Sequence, residues 1–210
     1  MAKHLFENLD AHAMMPMPTA LISCADREPG TSNIITLGWV GSLSSVPPMV
    51  GIGVKPNCYS HDLIQSAGEF VVNLPSEQLL EATDMCGVTT GAEVDKWALT
   101  GLTPSQASKL SKTPLIEECP VNLECVTRQV LSLGSHTLFL AEVVAIHADE
   151  AVLDGRGKLD IGKVRPINYF SFQYWPLGAE LIGTYGMAAK KAKERIAEGG
   201  VSRKPMGSAG

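Results

Sequence analysis

Short apolar segments alternate with turn-forming residues along most of this chain. The segments with the length and composition of β-strands are Thr19–Cys24, Ile34–Ser44, Met49–Val54, Phe70–Leu74, Leu123–Ser132, Thr137–Ala148 and a shorter piece at Asn168–Phe172. Turn-forming residues separate them at Asp26–Gly30, Val46–Pro48 and Leu133–Ser135, and the last turn predicts a tight hairpin. The pattern therefore predicts a mainly β protein whose antiparallel strands form a closed or partly open barrel.

Three segments predict short helices: Ser60–Ser66, Ser76–Thr83 and Met187–Glu198. The last is rich in Ala and Lys and is followed by two glycines, which is typical of a helix end. Residues from about Arg203 onward predict a mobile tail. We therefore expect an N-terminal extension at 1–14, one β domain at 15–185, and a C-terminal helix with its tail at 186–210.

Composition and charge narrow the class of protein. The chain has 210 residues, of which 45% are hydrophobic, and a formal net charge of −5. These values fit a folded protein with no general attraction for nucleic acids, so a bound phosphate needs local geometry. No segment reaches the roughly 18 to 20 apolar residues of a membrane helix, and the acidic N-terminal region does not resemble a signal peptide. The five cysteines include no C-x-x-C pair, so we interpret them as reduced apolar residues of a cytoplasmic protein.

Three segments carry candidate chemistry. The strand at Ile34–Ser44 has Gly, Ser and Thr where Val and Ile are usual, which indicates either a flat ligand or a crowded barrel corner. Ser60 begins a predicted helix, where its hydroxyl, free N–H groups and the helix dipole can hold a phosphate, or where it is an ordinary N-cap. The polar loop before Trp97 offers Lys96, which either serves such a site or is solvated.

The order and spacing of these segments resemble the flavin reductase-like, FMN-binding split-barrel family, and within it the flavoredoxin and ferric-reductase-like branch. The segments that carry the resemblance are Pro18–Ser23, Ser32–Ile34 with Trp39 and Pro47–Pro48, Tyr59–His61, Gly68–Pro75, Thr90–Gly91 with Asp95–Lys96, and His136–Val143. The resemblance covers roughly residues 15–185. It implies a six-stranded Greek-key β-barrel, a homodimer, and one FMN per subunit near the dimer interface.

The resemblance also implies which residues bind the cofactor. They are Asn33, Thr36, Trp39, Ser42, Tyr59, Ser60, His61, Lys96, His136 and Phe170. Among them, Ser60 matches the residue that holds the phosphate and Lys96 a cation near the ring or phosphate. Phe170 matches an aromatic residue that closes the pocket, with Tyr169 in its place if the alignment shifts by one residue. By residue type alone, Trp39 also fits a packed core, and His61 and His136 also fit solvated surface histidines.

One departure from the family concerns the phosphate. Many relatives have an arginine just before a Tyr-Thr-His triplet, whereas this chain has Asn57-Cys58 before Tyr59. A guanidinium can bind a phosphate through two hydrogen bonds at once. Without this arginine, either Lys55 or Lys96 supplies the positive charge or the phosphate is bound more weakly.

The function implied by the resemblance is that of a flavoredoxin-like oxidoreductase, in which tightly bound FMN carries electrons from a reduced donor to an acceptor protein or ferric complex. FMN brings its own redox chemistry, so the protein needs no catalytic triad, carboxylate pair or metal site. Two alternatives stay open: an NAD(P)H:flavin oxidoreductase that uses FMN as a dissociable substrate, and a flavin-binding electron carrier without turnover. The expected donors are a small redox protein, such as a ferredoxin or cytochrome, or NAD(P)H, although the sequence contains no Rossmann-type G-x-G-x-x-G motif.

Overall fold

The computed structural model describes residues 4, 5, 7, 14–27, 30–178 and 180–197. Contacts divide the chain into two units, residues 1–178 and residues 179–210. The strands, all in the first unit, are β1 (Met17–Pro18), β2 (Ala20–Ala25), β3 (Ser32–Leu37), β4 (Val40–Ser45), β5 (Pro48–Val54), β6 (Glu69–Leu74), β7 (Pro104–Ser105), β8 (Leu115–Ile116), β9 (Val121–Ser132), β10 (Thr137–Ala148), β11 (Ile167–Phe170) and β12 (Gln173–Pro176). The helices of the first unit are α1 (Tyr59–Ala67), α2 (Leu80–Val88), α3 (Lys96–Thr100) and α4 (Ile161–Val164), with 3-10 turns at Glu77–Leu79 and Glu150–Val152. The second unit contains α5 (Ala189–Ala197).

A seven-stranded antiparallel sheet forms the frame of the first unit, in the order β3-β2-β6-β9-β10-β5-β4. Strand β3, at one end of this order, also contacts β5 near the other end, so the sheet curls around a core. The predicted mainly β architecture is confirmed. A smaller sheet, β1-β11-β12, is formed by the segment before β2 and the hairpin after α4.

The predicted strand at Ile34–Ser44 is two strands rather than one, which is why the large sheet has seven members. The chain bends at Gly38 and Trp39, where the Val40 N–H donates to the Gly38 carbonyl across a three-residue turn. Strands β3 and β4 therefore lie at opposite ends of the sheet order. The small residues of this segment belong to two edge strands and not to one flat ribbon.

Strand β2 is buried on both faces, which accounts for its almost uninterrupted run of apolar residues. Ile22 belongs to the core enclosed by the curled sheet, together with Phe70 and Phe139. Its neighbour Leu21 points the other way, into a second cluster with Cys86 of α2. The sheet thus lies between two apolar layers, and α2 covers its outer face beside β3.

Five other predicted strands have bounds that agree with those of β2, β5, β6, β9 and β10 to within two residues. The predicted tight hairpin joins β9 to β10, with the Leu133 N–H donating to the His136 carbonyl at 2.8 Å. Predicted helix Ser60–Ser66 is α1, and Ser76–Thr83 begins as a 3-10 turn and continues as α2 to Val88. Glu28 and Pro29 of the first predicted turn, Glu198 of the last helix, and the expected tail lie outside the described residues.

Two buried carboxylates fasten the long connection between α3 and β9 to the sheet. Glu124 accepts hydrogen bonds from the backbone N–H groups of Ser108, Lys109 and Leu110. Glu69 accepts two more, from residues 112 and 113 of the same connection. Because this connection has few strand partners for its own N–H groups, the two carboxylates satisfy them instead. None of the helices in the described part of the chain is long and apolar enough to cross a lipid bilayer.

Candidate functional site

A cleft with a volume of about 860 Å³ opens where β3 ends and β4 begins. Its lining includes Trp39 of the connecting turn, Lys55 after β5, His136 of the β9–β10 hairpin, Thr19 and Thr36. The volume falls within the range of roughly 300 to 1,000 Å³ that is typical of small-molecule sites. The lining combines aromatic rings and hydroxyl groups with one cation, Lys55, and one carboxylate, that of Asp84. The aromatic rings suit a planar ligand, and Lys55 offers a partner for an anionic group.

Trp39 and His136 form an aromatic pair at this cleft. Their ring centroids are 4.7 Å apart and their planes are tilted by 32°. Trp39 packs over Gly53, where an added Cβ would lie 3.1 Å from the Trp39 Cβ. The Trp39 side chain is 40% exposed, so it is not a core residue, and its position in the cleft favours a contact with a ligand.

Two threonines give the cleft polar groups. The Thr19 hydroxyl is buried and, among the residues that the structure describes, has no hydrogen-bond partner. A buried hydroxyl without a partner costs about 1 to 3 kcal/mol, and a polar ligand in the cleft would reduce that cost. Thr36 donates to the Thr83 carbonyl of α2 and lies against Gly87, where a Cβ would come within 3.4 Å. The cleft therefore combines a buried hydroxyl that has no partner among the described residues with a threonine that packs closely against α2.

The β11–β12 hairpin contributes three aromatic rings, those of Tyr169, Phe172 and Tyr174. The rings of Tyr169 and Tyr174 meet edge to face at 5.5 Å. The Tyr174 hydroxyl donates to the Asp84 carboxylate of α2 at 2.9 Å. Burial, together with this hydrogen bond, raises the pKa of Tyr174 above its usual value, so Tyr174 stays neutral and fastens the hairpin to α2.

The cleft brings together three of the residues expected from the sequence: Thr36, Trp39 and His136. Asn33 and Tyr59 line a second, smaller cavity of about 400 Å³. Asn33 and Thr36 are an odd number of residues apart on β3, so their side chains point to opposite faces of the strand. The site expected on one continuous strand is thus divided between two cavities.

Ser60 is not the N-cap that the sequence indicates. Helix α1 begins at Tyr59 with Cys58 as its N-cap, so Ser60 lies within the first turn. Its side chain is only 1% exposed, and its hydroxyl accepts a hydrogen bond from the Asn33 amide at 2.8 Å. The expected capping geometry is therefore wrong, and Ser60 supports Asn33 from the interior.

Lys96 is buried rather than solvated. Its ammonium group donates to the Cys86 carbonyl at 2.7 Å, and burial lowers the pKa of Lys96. Lys55, in contrast, is exposed and lines the cleft. Of the two lysines that the sequence offers for a phosphate, Lys55 is the one that reaches the cleft.

Three further expected residues lie outside both cavities. His61 is buried, with Nε2 at 2.9 Å from the Thr137 hydroxyl, and so joins α1 to β10 and is not a solvated surface histidine. Ser42 is exposed on edge strand β4. Phe170 does not line the cleft, whereas Tyr169 does, because neighbouring residues of a strand face opposite sides.

Several residues of the cleft carry no obvious motif. Thr19, Phe172 and Tyr174 line it, yet only their surroundings in the fold identify them. One signal was present in the sequence: five of the seven residues from Tyr169 to Trp175 are aromatic, in a chain that is only 6% aromatic. Such a cluster in a short segment marks a surface that contacts a ligand or a partner.

The fold and the cleft define a mainly β protein whose curled antiparallel sheet carries an aromatic and polar cleft of the size of a small-molecule site. A family model described as "Flavin reductase like domain" matches residues 12–175, and the chain therefore belongs to this family of flavin-dependent oxidoreductases. The resemblance stated from the sequence is confirmed.

Individual relatives agree with the family. The structure of flavoredoxin from Methanosarcina acetivorans superimposes with a TM-score of 0.82 at 31% identity, covering 91% of this chain and all of that one. An uncharacterized protein of Archaeoglobus fulgidus is 35% identical over 68% of this chain and 78% of its own length. A protein of Streptomyces pristinaespiralis named NADH:riboflavin 5'-phosphate oxidoreductase is 27% identical over 67% of this chain and 76% of its own length.

Proposed function

We propose that the protein binds FMN in the cleft beside Trp39 and is a flavoredoxin-like oxidoreductase, which carries electrons between a reduced donor and an acceptor protein or ferric complex. The observation that carries the proposal is the composition of the cleft, in which Lys55, the Trp39–His136 pair and the unpartnered Thr19 hydroxyl meet. FMN has a planar aromatic ring and an anionic phosphate, and these groups require such partners. When bound, FMN supplies the redox chemistry.

We assign the protein's own contributions as follows. Lys55 attracts the phosphate, and Ser135, whose hydroxyl lies 2.9 Å from His136 Nδ1, offers a second polar group beside it. Trp39 and His136 provide an apolar surface that excludes water from the ring. Thr19 and Thr36 offer hydroxyl oxygens at the same cleft.

The remaining expected residues take supporting roles in this proposal. Asn33 of β3 and Tyr59 of α1 line the second cavity and offer polar groups there. Ser60 orients Asn33 through its hydrogen bond, and Lys96 holds the backbone carbonyl of Cys86 in the last turn of α2. Tyr169 takes the place first expected for Phe170.

An apolar surface beside the cleft supports a homodimer. Leu43, Leu138 and Leu140 meet over Gly51, where an added Cβ would come within 3.6 Å of all three side chains. Leu43 is 58% exposed, and Leu138 and Leu140 are half-buried. Trp39 packs over Gly53, two residues further along β5. Exposed apolar side chains that lie together can mark a protein interface, and two-fold dimers are the commonest way to cover one. We propose that a second copy of the chain covers this patch and lies near the cofactor.

The five unpaired cysteines support a reducing, cytoplasmic location.

The similarity to the Streptomyces pristinaespiralis protein favours a second candidate function, NADH-dependent reduction of FMN as a dissociable substrate. The two candidates differ in how tightly FMN is held and in the donor that reduces it. A prosthetic flavin stays with the protein on dilution, whereas a substrate flavin is lost.

The visible spectrum of the purified protein, followed by identification of the released chromophore, tests the proposal. We expect a yellow protein that retains one FMN per chain through gel filtration and is reduced more slowly by NADH than by a reduced small redox protein. Loss of FMN on dilution together with rapid turnover with NADH would establish the second candidate. A colourless protein that does not bind added FMN would exclude both.

A further inference from the structure

The turn between β11 and β12 has an unusual backbone for its sequence. Phe170 pairs with Gln173, so Ser171 and Phe172 form a two-residue hairpin loop. Both have positive φ, +50° for Ser171 and +63° for Phe172. Two consecutive left-handed residues define a type I′ turn, for which Asn-Gly is the usual sequence. A phenylalanine in this conformation is strained, and such residues concentrate at functional sites.

The turn places the Phe172 ring at the cleft. Phe172 is 67% exposed and lines the cleft beside Tyr169 and Tyr174. Its ring meets that of Tyr169 edge to face, with centroids 6.5 Å apart and planes at 80°. Tyr169 in turn contacts Tyr174 in the same manner. The three rings form one aromatic surface, and Phe172 is its most exposed member.

The hairpin is anchored, so this aromatic surface has a fixed position. The Tyr174 hydroxyl donates to Asp84 of α2, and β11 pairs with β1. The aromatic residues of the opposite face, Phe170 and Trp175, do not line the cleft. The turn therefore has an exposed phenylalanine at the cleft in a backbone conformation that Asn-Gly would adopt with less strain.

We infer that Phe172 is a specificity-determining residue on which a planar, conjugated electron acceptor of the quinone class stacks. The inference rests on the proposed function and adds to it a class of small-molecule acceptor. Aromatic rings stack well on flat, electron-poor π systems, and a compact ferric complex gains little from such a contact. Reduction of the quinone to its hydroquinone takes two electrons from the reduced holoprotein and two protons, drawn from the reduced cofactor and from water.

The test follows reoxidation of the FMN-loaded protein, reduced beforehand with stoichiometric dithionite, by a naphthoquinone and separately by ferricyanide in stopped flow. We expect Phe172→Ala to raise the apparent dissociation constant for the naphthoquinone about tenfold, the loss expected for one stacking contact with its buried area. The rate with ferricyanide and the FMN dissociation constant are measured on the same variants, and each should change by a smaller factor than the naphthoquinone dissociation constant. Phe172→Gly, which suits the left-handed backbone, should give the same result even if Phe172→Ala is destabilised.

Trp175→Ala is the matched control, because it removes an exposed aromatic ring from the other face of the same hairpin. It should leave both acceptors unaffected. A naphthoquinone dissociation constant within about twofold of wild type in Phe172→Gly would overturn the inference, since one stacking contact is worth more. So would an equal loss in Trp175→Ala. A loss of FMN affinity in Phe172→Gly as large as the loss of naphthoquinone affinity would also overturn it, because it would assign the ring to the cofactor. A wild-type protein that binds no FMN would instead refute the proposed function.

Discussion

At the scale of single residues, the buried polar groups have specific partners that the sequence does not disclose. Glu124 is fully buried and yet ionised, because it faces three backbone N–H groups as well as Ser108 and His147. Burial alone would raise the pKa of Glu124, but these hydrogen bonds outweigh it and lower the pKa from 4.5 to about 2. A carboxylate whose folded-state pKa is depressed stabilises the fold above its ordinary pKa, and this contribution is lost as the pH falls towards the folded-state value.

We expect Glu124→Gln to lower the free energy of unfolding at pH 7 by about 2 to 4 kcal/mol. A glutamine side chain has one acceptor oxygen instead of two and carries no negative charge, so it cannot replace the hydrogen bonds of the carboxylate. Urea unfolding at pH 7 and at pH 3 measures this effect, and the difference between variant and wild type should shrink at the lower pH. Glu142→Gln is the control. Glu142 is partly exposed and pairs with Arg128, so its loss should change stability by no more than about 0.5 kcal/mol. Equal losses in the two variants would contradict this account of Glu124.

The cysteines differ sharply in their surroundings. Burial raises the pKa of Cys24 and Cys125 to about 12 and that of Cys86 to about 11, and it also raises the pKa of Cys119. Cys58, at the N-cap of α1, is only half-buried.

We therefore expect iodoacetamide to modify Cys58 first in the native protein, since the thiolate is the reactive form and the other thiols are both buried and protonated. Peptide mass spectrometry after brief alkylation at pH 8 identifies the modified residue. The same treatment in urea, which should label all the cysteines, is the control. Faster labelling of Cys86 or Cys24 would contradict the burial found here.

At the scale of elements, the sequence predicts those strands whose apolar residues fill the core and misses those whose ends have unusual turns. Strands β2, β5, β6, β9 and β10 all contribute buried residues, and all five were predicted. The sequence does not indicate the break between β3 and β4 at Gly38, because the three-residue turn there has no strong sequence signal. It does not indicate β12 either, because Ser171-Phe172 does not resemble a hairpin turn. The sequence indicates a polar loop up to Trp97, whereas helix α3 begins at Lys96, capped by Asp95, which accepts from the Trp97 and Ala98 N–H groups.

The strain at this turn leads to a prediction about stability. We expect Ser171→Gly to raise the free energy of unfolding by about 1 kcal/mol, because glycine adopts the left-handed conformation without a steric penalty. Thermal unfolding followed by circular dichroism measures the change. Ser132→Gly, in strand β9 where φ is not positive, is the control and should lower stability. A lower melting temperature for Ser171→Gly would contradict the backbone described here.

At the scale of the whole molecule, the curled sheet brings distant segments to one cleft. Thr19 before β2, Trp39 after β3, His136 before β10 and the β11–β12 hairpin meet there although they span most of the first unit. The resemblance to the family indicates Trp39 and His136 because they lie in matched segments, and Thr36 because it lies between two of them. A contact of Ser60 or Lys96 with the cofactor stays a prediction. The sequence does not show that both side chains are buried, because their burial depends on the packing of α1 and α3.

The apolar patch over Gly51 gives a prediction at this scale. We expect the wild-type protein to sediment as a dimer and Leu43→Glu to sediment as a monomer with weaker FMN binding, since a charge in an apolar interface is costly. Analytical ultracentrifugation of both proteins measures the state of assembly. Leu159→Glu introduces the same charge at another exposed leucine and should leave the dimer intact. A wild-type monomer would refute the proposed dimer.

The central claim is that Lys55 and the cleft around Trp39 hold the phosphorylated flavin. Titration of the cofactor-free protein with FMN and with riboflavin, followed by flavin fluorescence, tests it for wild type, Lys55→Met and the control Lys158→Met. We expect one FMN per chain, and a preference for FMN over riboflavin that falls about tenfold or more in Lys55→Met, the loss expected for a hydrogen bond between charged groups. Lys158→Met should keep the wild-type preference. Equal affinities for the two flavins in wild type, or an unchanged preference in Lys55→Met, would contradict the claim.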